Sequence, residues 1–176
     1  MAIHQATLVP AEPLVATSAS RLVAVHGDTV VVGDPWRTTM MGRGSGAVYI
    51  FRRSAEGWVQ EAELRSPEPL PFFGFGETVA VSGDFLAIGA PSNGPDGRFP
   101  GTVYCYTRSG NTWGSEMRLT PSSPLAGGRF GASLALDRNM LLVDTPFVRP
   151  CVFAFQHDGT IWQPAGTMLN HDPRAI

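Results

Sequence analysis

The sequence has few charged residues, few cysteines and no long apolar run, and each of these absences excludes a class of protein. Charged side chains make up 16% of the 176 residues, and the formal net charge is only −2. This balance provides no strongly basic surface of the kind that binds nucleic acids or anionic membranes. No apolar stretch reaches the roughly 18 residues that a membrane-spanning helix needs. We therefore expect no nucleic-acid partner and no membrane span.

Reactive and metal-binding side chains are also sparse. The two cysteines, Cys105 and Cys151, fall on equivalent predicted strands of two sequence repeats. Because neighbouring sheets pack about 10 Å apart and a disulfide needs Cα atoms within about 7 Å, we expect buried thiols and no bridge. The four histidines show neither H-x-x-x-H nor H-E-x-x-H spacing, and Gly44-Ser45-Gly46 lacks the G-x-S-x-G spacing of a hydrolase nucleophile. We expect no enzyme, no metal site and no cofactor.

Glycine and proline, in contrast, are abundant, and they indicate a chain of many short elements. The 20 glycines and 15 prolines make up about one residue in five. Such a composition leaves little room for long helices and favours short strands joined by turns. The first residues, MAIHQATLVPAEP, lack the basic and apolar regions of a secretory signal, so none is predicted. The residues themselves assign no compartment.

A repeat of about 55 residues organises the chain. The segment Val23–Pro35 recurs as Val79–Pro91 and again as Leu134–Pro146, with apolar residues at matching positions. Each copy is followed by a second apolar segment and then by a tryptophan. These landmarks are Gly46–Phe51 with Trp58, Gly101–Tyr106 with Trp113, and Cys151–Phe155 with Trp162. Three aligned copies with this many landmarks establish an internal repeat.

Each copy predicts four short strands. In the second copy they are expected over about Thr78–Ser82, Phe85–Gly89, Thr102–Thr107 and Thr112–Leu119. They are rich in β-branched and aromatic residues, and Gly83-Asp84 supplies a two-residue hairpin turn. The fourth strand of the third copy is expected over Thr160–Leu169. A four-stranded antiparallel unit of this length is typical of a propeller blade.

Two short motifs flank the first two strands of a copy. Phe75-Gly76 precedes them and Gly89-Ala90-Pro91 follows them in the second copy, and Phe130-Gly131 and Asp144-Thr145-Pro146 do so in the third. With these motifs the chain resembles FG-GAP repeat proteins, whose repeats form integrin-type β-propellers. The first copy matches more weakly, since Ala19-Ser20 replaces the Phe-Gly pair. The resemblance covers about residues 16–170. It implies a non-catalytic binding or scaffold role and an extracellular or cell-surface location.

Together these observations predict an all-β protein, a partial β-propeller of about three four-stranded antiparallel blades plus a stray N-terminal strand. Residues 5–14 align with residues 61–70, which end the first copy, so they predict the outer strand of an incomplete blade. The predicted units are residues 1–15 for that outer strand, 16–72 for blade 1, 73–128 for blade 2, 129–170 for blade 3 and 171–176 for a tail.

Three blades leave a propeller open. The resemblance implies about seven blades, and a ring closes only when its first and last blades meet. Each open end exposes an apolar blade face of a kind that soluble monomers rarely tolerate. We therefore expect a protein partner or a homo-oligomer that completes the propeller, such as two chains in one ring. The alternative is that the chain is part of a longer product.

The resemblance also implies calcium in some members, held by a D-x-D-x-D-G-x-x-D loop between the first two strands. Here that link is a tight turn in every copy, namely His26-Gly27-Asp28, Ser82-Gly83-Asp84 and Asp137-Arg138-Asn139. None of these turns supplies the six to eight oxygen ligands that Ca²⁺ prefers. We therefore expect no calcium site.

Longer, irregular links are predicted on one face of the disc. The first carries Trp36, Arg37, Met40, Met41 and Arg43, and the second carries Asn93, Asp96, Arg98 and Phe99. Trp and Arg are enriched at protein interfaces, and Met adapts to irregular partners. We predict a protein-binding face built from these residues. The alternatives are that Trp36, Met40 and Met41 pack over the blade edge, or that the module is a glycan-binding, lectin-like propeller.

Overall fold

The computed structural model describes residues 7–11, 22–40, 42–68, 72–91, 99–121, 127–146 and 151–169. These residues form twelve β-strands and no helix. The prediction of an all-β protein is confirmed. Within the described ranges there is accordingly no helix long and apolar enough to cross a membrane.

Three four-stranded antiparallel sheets contain all twelve strands. The first sheet comprises β1 (Leu22–His26), β2 (Thr29–Asp34), β3 (Ala47–Ser54) and β4 (Gly57–Arg65). The second comprises β5 (Thr78–Ser82), β6 (Phe85–Ala90), β7 (Thr102–Ser109) and β8 (Thr112–Leu119). The third comprises β9 (Leu134–Asp137), β10 (Met140–Thr145), β11 (Cys151–His157) and β12 (Trp162–Leu169). Because the strands pair in chain order, each sheet is a β-meander.

The strand positions predicted from the second copy agree closely with the structure. Strands β5 and β8 have the predicted bounds, and β6 and β7 extend one and two residues further. Strand β12 begins two residues later than predicted. The reason is local, because the carboxylate of Asp158 accepts hydrogen bonds from the amides of Thr160 and Ile161 at 2.8 and 2.9 Å. These bonds hold the two residues in a turn.

The three sheets stack face to face around their first strands. Strands β1, β5 and β9 are neighbours across the sheets. Between the first and second sheets lies a buried cluster that includes Val31, Ile50, Tyr104 and Trp113. Between the second and third lies a cluster that includes Phe130, Leu141 and Trp162. Stacked meanders with their first strands at the centre define a β-propeller, and the fold is a partial β-propeller of three blades.

The cysteines and two of the repeated tryptophans are packing residues. Trp113 and Trp162 are buried in the clusters between blades. Cys105 and Cys151 are buried, as predicted, and both are free thiols. Burial raises the pKa of the Cys105 thiol to about 12, so this thiol stays protonated at neutral pH.

Residues 7–11 run along the face of blade 1 that points away from blade 2, here called its back face. They do not belong to any of the twelve strands. Leu8 packs against the buried cluster around Phe51, and the amide of Ala11 donates to Oε1 of Gln60 at 2.8 Å. The rest of the predicted N-terminal strand and the tail at 171–176 lie outside the described residues.

Candidate functional site

The Phe-Gly pair that precedes a blade joins it to the blade before. Phe75 forms a parallel bridge with Gly46 of blade 1, and Phe130 forms one with Gly101 of blade 2. Both phenylalanine rings are fully buried. The amide of Gly76 then donates to the carbonyl of Gly89, at the end of the second strand of its own blade, at 3.0 Å. The pair therefore fixes each blade to its neighbour and to its own sheet.

Close backbone contact at these joints requires glycine on the preceding blade. A Cβ atom at Gly33 would overlap the carbonyl oxygen of Gly76, and a Cβ atom at Gly46 would overlap that of Phe75. The next joint repeats the contact, with Gly89 against the carbonyl of Gly131. The Phe-Gly motif and the glycines that receive it thus explain how the blades stack.

The first joint also places two loops side by side on one face of the disc. One loop links β2 to β3, and the other links β4 to β5. The amide of Phe72 donates to the carbonyl of Arg43 at 2.9 Å, and the amide of Phe75 donates to the carbonyl of Ser45 at 3.2 Å. These backbone hydrogen bonds hold the two loops together as one surface.

The tip of the first loop is a small fixed hairpin. Thr39 and Gly42 exchange two backbone hydrogen bonds of 3.2 and 3.0 Å. The hydroxyls of Thr39 and Ser45 lie 2.6 Å apart, and Ser45 is fully buried. Met40, at the tip, is 96% exposed. The hairpin therefore presents a flexible apolar side chain on a well-supported backbone.

An exposed aromatic pair lies beside this hairpin. Trp36 is 57% exposed and Phe72 is 43% exposed. The two rings flank Gly44, since a Cβ atom there would lie 3.4 Å from the ring of Phe72 and 3.6 Å from that of Trp36. Arg43, the residue directly before Gly44, is exposed. We call Trp36, Met40, Arg43 and Phe72 the loop patch.

Phe72 is the member of the loop patch that sequence reasoning missed. Its φ of +58° lies in the left-handed region, which costs a non-glycine residue roughly 1–2 kcal/mol. At the same position in the link into blade 3, three residues before the Phe-Gly pair, stands Gly127 with φ +77°. The sequence did contain a signal for this residue, because an aromatic side chain stands at Phe72 where the aligned position of the next link has glycine. Backbone strain of this kind clusters at functional sites.

Two further predicted site residues, Arg37 and Phe99, are described by the structure and do not belong to the loop patch. Arg37 is only 9% exposed. It lies near Tyr49, where burial raises the pKa of the phenol and the charge of Arg37 lowers it in part. Phe99 is half-buried and packs edge-to-face on Phe73, with ring centroids 6.2 Å apart. The structure thus places Arg37 and Phe99 in packing contacts and not in the loop patch. Met41, Asn93, Asp96 and Arg98 lie outside the described residues.

The opposite face of the disc carries a depression of about 690 Å³ between the first turns of the blades, lined among others by His26, Arg108 and Asp137. Nδ1 of His26 accepts a hydrogen bond from the amide of Gly83 at 2.9 Å, and Arg108 pairs with Asp84 at 2.7 Å. The described part of the chain contains no group of three or more side chains that could hold a metal ion. His26, Arg108 and Asp84 are engaged in holding turns and strands together.

Comparison with known proteins identifies the repeat. The FG-GAP repeat model matches residues 5–51 and 58–106, more than half of the chain. The second match begins in β4 and ends in β7, so it runs from the fourth strand of one blade to the third strand of the next. The first match begins at the N-terminal segment and ends in β3. No curated protein matches the chain. The chain belongs to the FG-GAP repeat family.

Proposed function

We propose that the protein is a non-catalytic binding or scaffold module that mediates protein–protein interaction through the loop patch. The observation that carries this proposal is Phe72, whose exposed ring stands on a left-handed backbone beside the exposed ring of Trp36. Stability alone would favour glycine at such a position. The aromatic ring is therefore best explained by what it contacts in a complex.

The chemistry of the loop patch supports the same proposal. Tryptophan and arginine are enriched among interface hot spots, and Trp36 and Arg43 are both exposed in the loop that links β2 to β3. The backbone hydrogen bonds between the loops preform the surface, so little conformational entropy is lost on binding. Met40 adds an adaptable apolar contact at the edge. The combination fits a partner with an apolar centre and a polar or acidic rim.

Removing the two hot-spot candidates tests the proposal. The double variant Trp36→Ala/Arg43→Ala is compared with Val59→Ala, whose side chain is 51% exposed on β4. We expect both variants to keep the melting temperature of the unmodified protein, because the altered side chains are exposed. The amount of partner protein that is cross-linked and recovered from the native source should fall at least tenfold with the double variant. It should stay unchanged with Val59→Ala. Equal recovery with all three proteins would refute the proposal.

A glycan-binding, lectin-like module is the second candidate, because a pair of exposed rings also offers a flat surface to a sugar. A glycan array separates the two candidates. Retention of a glycan by the unmodified protein and its loss in Trp36→Ala would replace the protein-binding proposal. We expect no glycan to be retained.

A further inference from the structure

The first turn of a blade forms a hydrogen bond with the blade before it. In blade 2 the amide of Gly83 donates to Nδ1 of His26 at 2.9 Å. In blade 3 the amide of Arg138, at the aligned position, donates to Oγ of Ser82 at 2.9 Å. Both acceptors are the last residue of the first strand of the preceding blade. The two joints therefore use the same backbone donor position and different acceptor side chains.

The two acceptors respond differently to pH. The hydroxyl of Ser82 accepts a hydrogen bond at any pH at which the protein is folded. The imidazole of His26 accepts at Nδ1 only while the ring is neutral and carries its proton on Nε2, because both nitrogens of an imidazolium are donors. Histidine is the side chain that ordinarily changes its charge between about pH 5 and about pH 8. The bond between blades 1 and 2 thus depends on pH, and the bond between blades 2 and 3 does not.

The hairpin that carries Gly83 offers no substitute for this bond. Ser82 pairs with Phe85 across the turn, so the amide of Gly83 between them lies outside the ladder of its own sheet. Among the described residues, His26 is the acceptor that this amide has. A protonated ring would place its Nδ1–H against the N–H of Gly83. Two donors that face each other repel, and the two turns then separate.

The charges around His26 balance one another. Three carboxylates and three guanidinium groups lie in the surrounding turns and strand ends, namely Asp28, Asp84, Asp137, Arg53, Arg108 and Arg138. Asp28 pairs with Arg53 at 2.6 Å, and Asp84 pairs with Arg108 at 2.7 Å. Carboxylates that are already paired attract a further cation only weakly in exposed positions. The surroundings therefore do not compensate an imidazolium for the bond that it loses.

His157 is the second histidine that the structure describes, and it accommodates a positive charge. Its ring packs on Trp162, with centroids 5.3 Å apart. At the same register position blades 1 and 2 have Arg53 and Arg108, whose guanidinium groups lie over the aligned tryptophans. A cation in this position is favourable. Of the described histidines, His26 is thus the one whose protonation opposes a contact between blades.

We propose that His26 is a pH switch at the joint between blades 1 and 2. At neutral pH its uncharged ring holds the turn of Gly83 against blade 1. As the pH falls to about 5, Nδ1 takes up a proton from water, the bond to Gly83 is lost and the turns separate. The joint between blades 2 and 3 stays closed at Ser82. The switch does not depend on what the loop patch binds.

Exchange of the two turn amides with water, followed by NMR, tests the switch within one molecule. Protection is expressed relative to an unstructured peptide at the same pH, which removes the intrinsic pH dependence of exchange. Between about pH 7.5 and about pH 5 the protection of the Gly83 amide should fall at least tenfold. That of the Arg138 amide should change by less than about twofold. The midpoint of the fall should coincide with the titration of the His26 ring, followed by its nitrogen chemical shifts.

Two variants identify the titrating group. His26→Ser gives blade 1 the acceptor that blade 2 has at the aligned position, and it should make the protection of Gly83 independent of pH. Because His26 is exposed, we expect this variant to fold. Glu61→Gln is the matched control, since Glu61 is a second titratable group in the same seam, and it should leave the tenfold fall in place.

Three results would overturn the proposal. The first is equal protection of the Gly83 amide at both pH values in the unmodified protein. The second is a fall in protection that persists in His26→Ser. The third is a fall whose midpoint differs from that of the His26 ring, because another group would then control the joint.

Discussion

Blades 1 and 2 carry the same pair of valines on their first strands, yet the surroundings of the two pairs differ. Val79 and Val81 of blade 2 pack against blade 1, and Val81 is 7% exposed. The equivalent Val23 and Val25 of blade 1 are 69% and 68% exposed. The repeat therefore specifies a blade, but the neighbouring blade decides which of its residues contribute to stability.

The largest loss of stability should come from disrupting the joint between blades 1 and 2, which covers the valines of blade 2 and leaves those of blade 1 exposed. Gly33→Ala places a Cβ atom against the carbonyl of Gly76, and backbone cannot move aside cheaply. We expect a loss of about 3 kcal/mol in the free energy of unfolding, measured by urea denaturation. Gly114→Ala on β8 is the control, since its Cβ would meet no atom within 4 Å. A Gly33→Ala protein as stable as Gly114→Ala would show that the joint is not formed in solution.

A direct test of the comparison replaces one valine in each blade. Val81→Ala removes two methyl groups from a packed cluster and should cost about 2 kcal/mol. Val25→Ala removes the same groups from an exposed position and should change the free energy of unfolding by less than about 0.5 kcal/mol. Urea denaturation of both variants gives the difference. Equal losses would mean that the back face of blade 1 is covered in solution.

Two substitutions in the links between blades should change the stability by smaller amounts and in opposite directions. Phe72→Gly relieves a left-handed φ of +58° and should stabilise the protein by up to about 1 kcal/mol. Gly127→Ala introduces the same strain at φ +77° in an open position and should destabilise it by about 1 kcal/mol. Thermal unfolding measures both. A loss of stability in Phe72→Gly would show that the ring serves packing, contrary to the proposed role of the loop patch.

The smallest effect concerns the carboxyl group of Glu61, which is buried in the seam between blades 1 and 2. The side chain of Glu61 is 6% exposed and lies 3.9 Å from that of Arg108. Burial raises the pKa of its carboxyl group above 4.5, and Arg52 partly offsets this. Because the folded-state pKa is raised, the stability that Glu61 contributes is complete below the unfolded-state value and is lost as the pH rises through the folded-state value.

Glu61→Gln removes the ionisable carboxyl group. It should therefore make the free energy of unfolding depend less on pH. Urea denaturation at a series of pH values from about 4 to about 7 measures the slope. Glu56→Gln, at an exposed turn, is the control and should leave the slope as it is in the unmodified protein. A slope that is unchanged by Glu61→Gln would show that the carboxyl group is solvated in the folded protein.

Strands and turns were predictable because their signals are local. The bounds of β5 and β8 follow from an apolar, β-branched run closed by turn residues, and Gly83 makes its turn at φ +58°. The late start of β12 depended on the side chain of Asp158, which competes with the strand for the amides of Thr160 and Ile161. Such competition is visible only when the geometry of the turn is known.

The loop patch was predictable only in part. Trp36 and Met40 are exposed, as a binding face requires, but Arg37 lies buried beside Tyr49. Phe72 joins the patch from a different link, because backbone hydrogen bonds draw the two loops together. Residues that meet across a joint between blades leave no spacing pattern along the chain. Their proximity depends on how the sheets stack.

The amino-acid sequence by itself determined the repeat, the four strands of each blade and the glycines at the joints, because period, apolar alternation and turn chemistry are properties of neighbouring residues. Tertiary structure alone decided which equivalent residues are covered. Val81 is packed and Val25 is bare, although their local sequences are alike. The physical reason is that burial requires a second surface, and the surface that covers a blade lies about one repeat away in the chain.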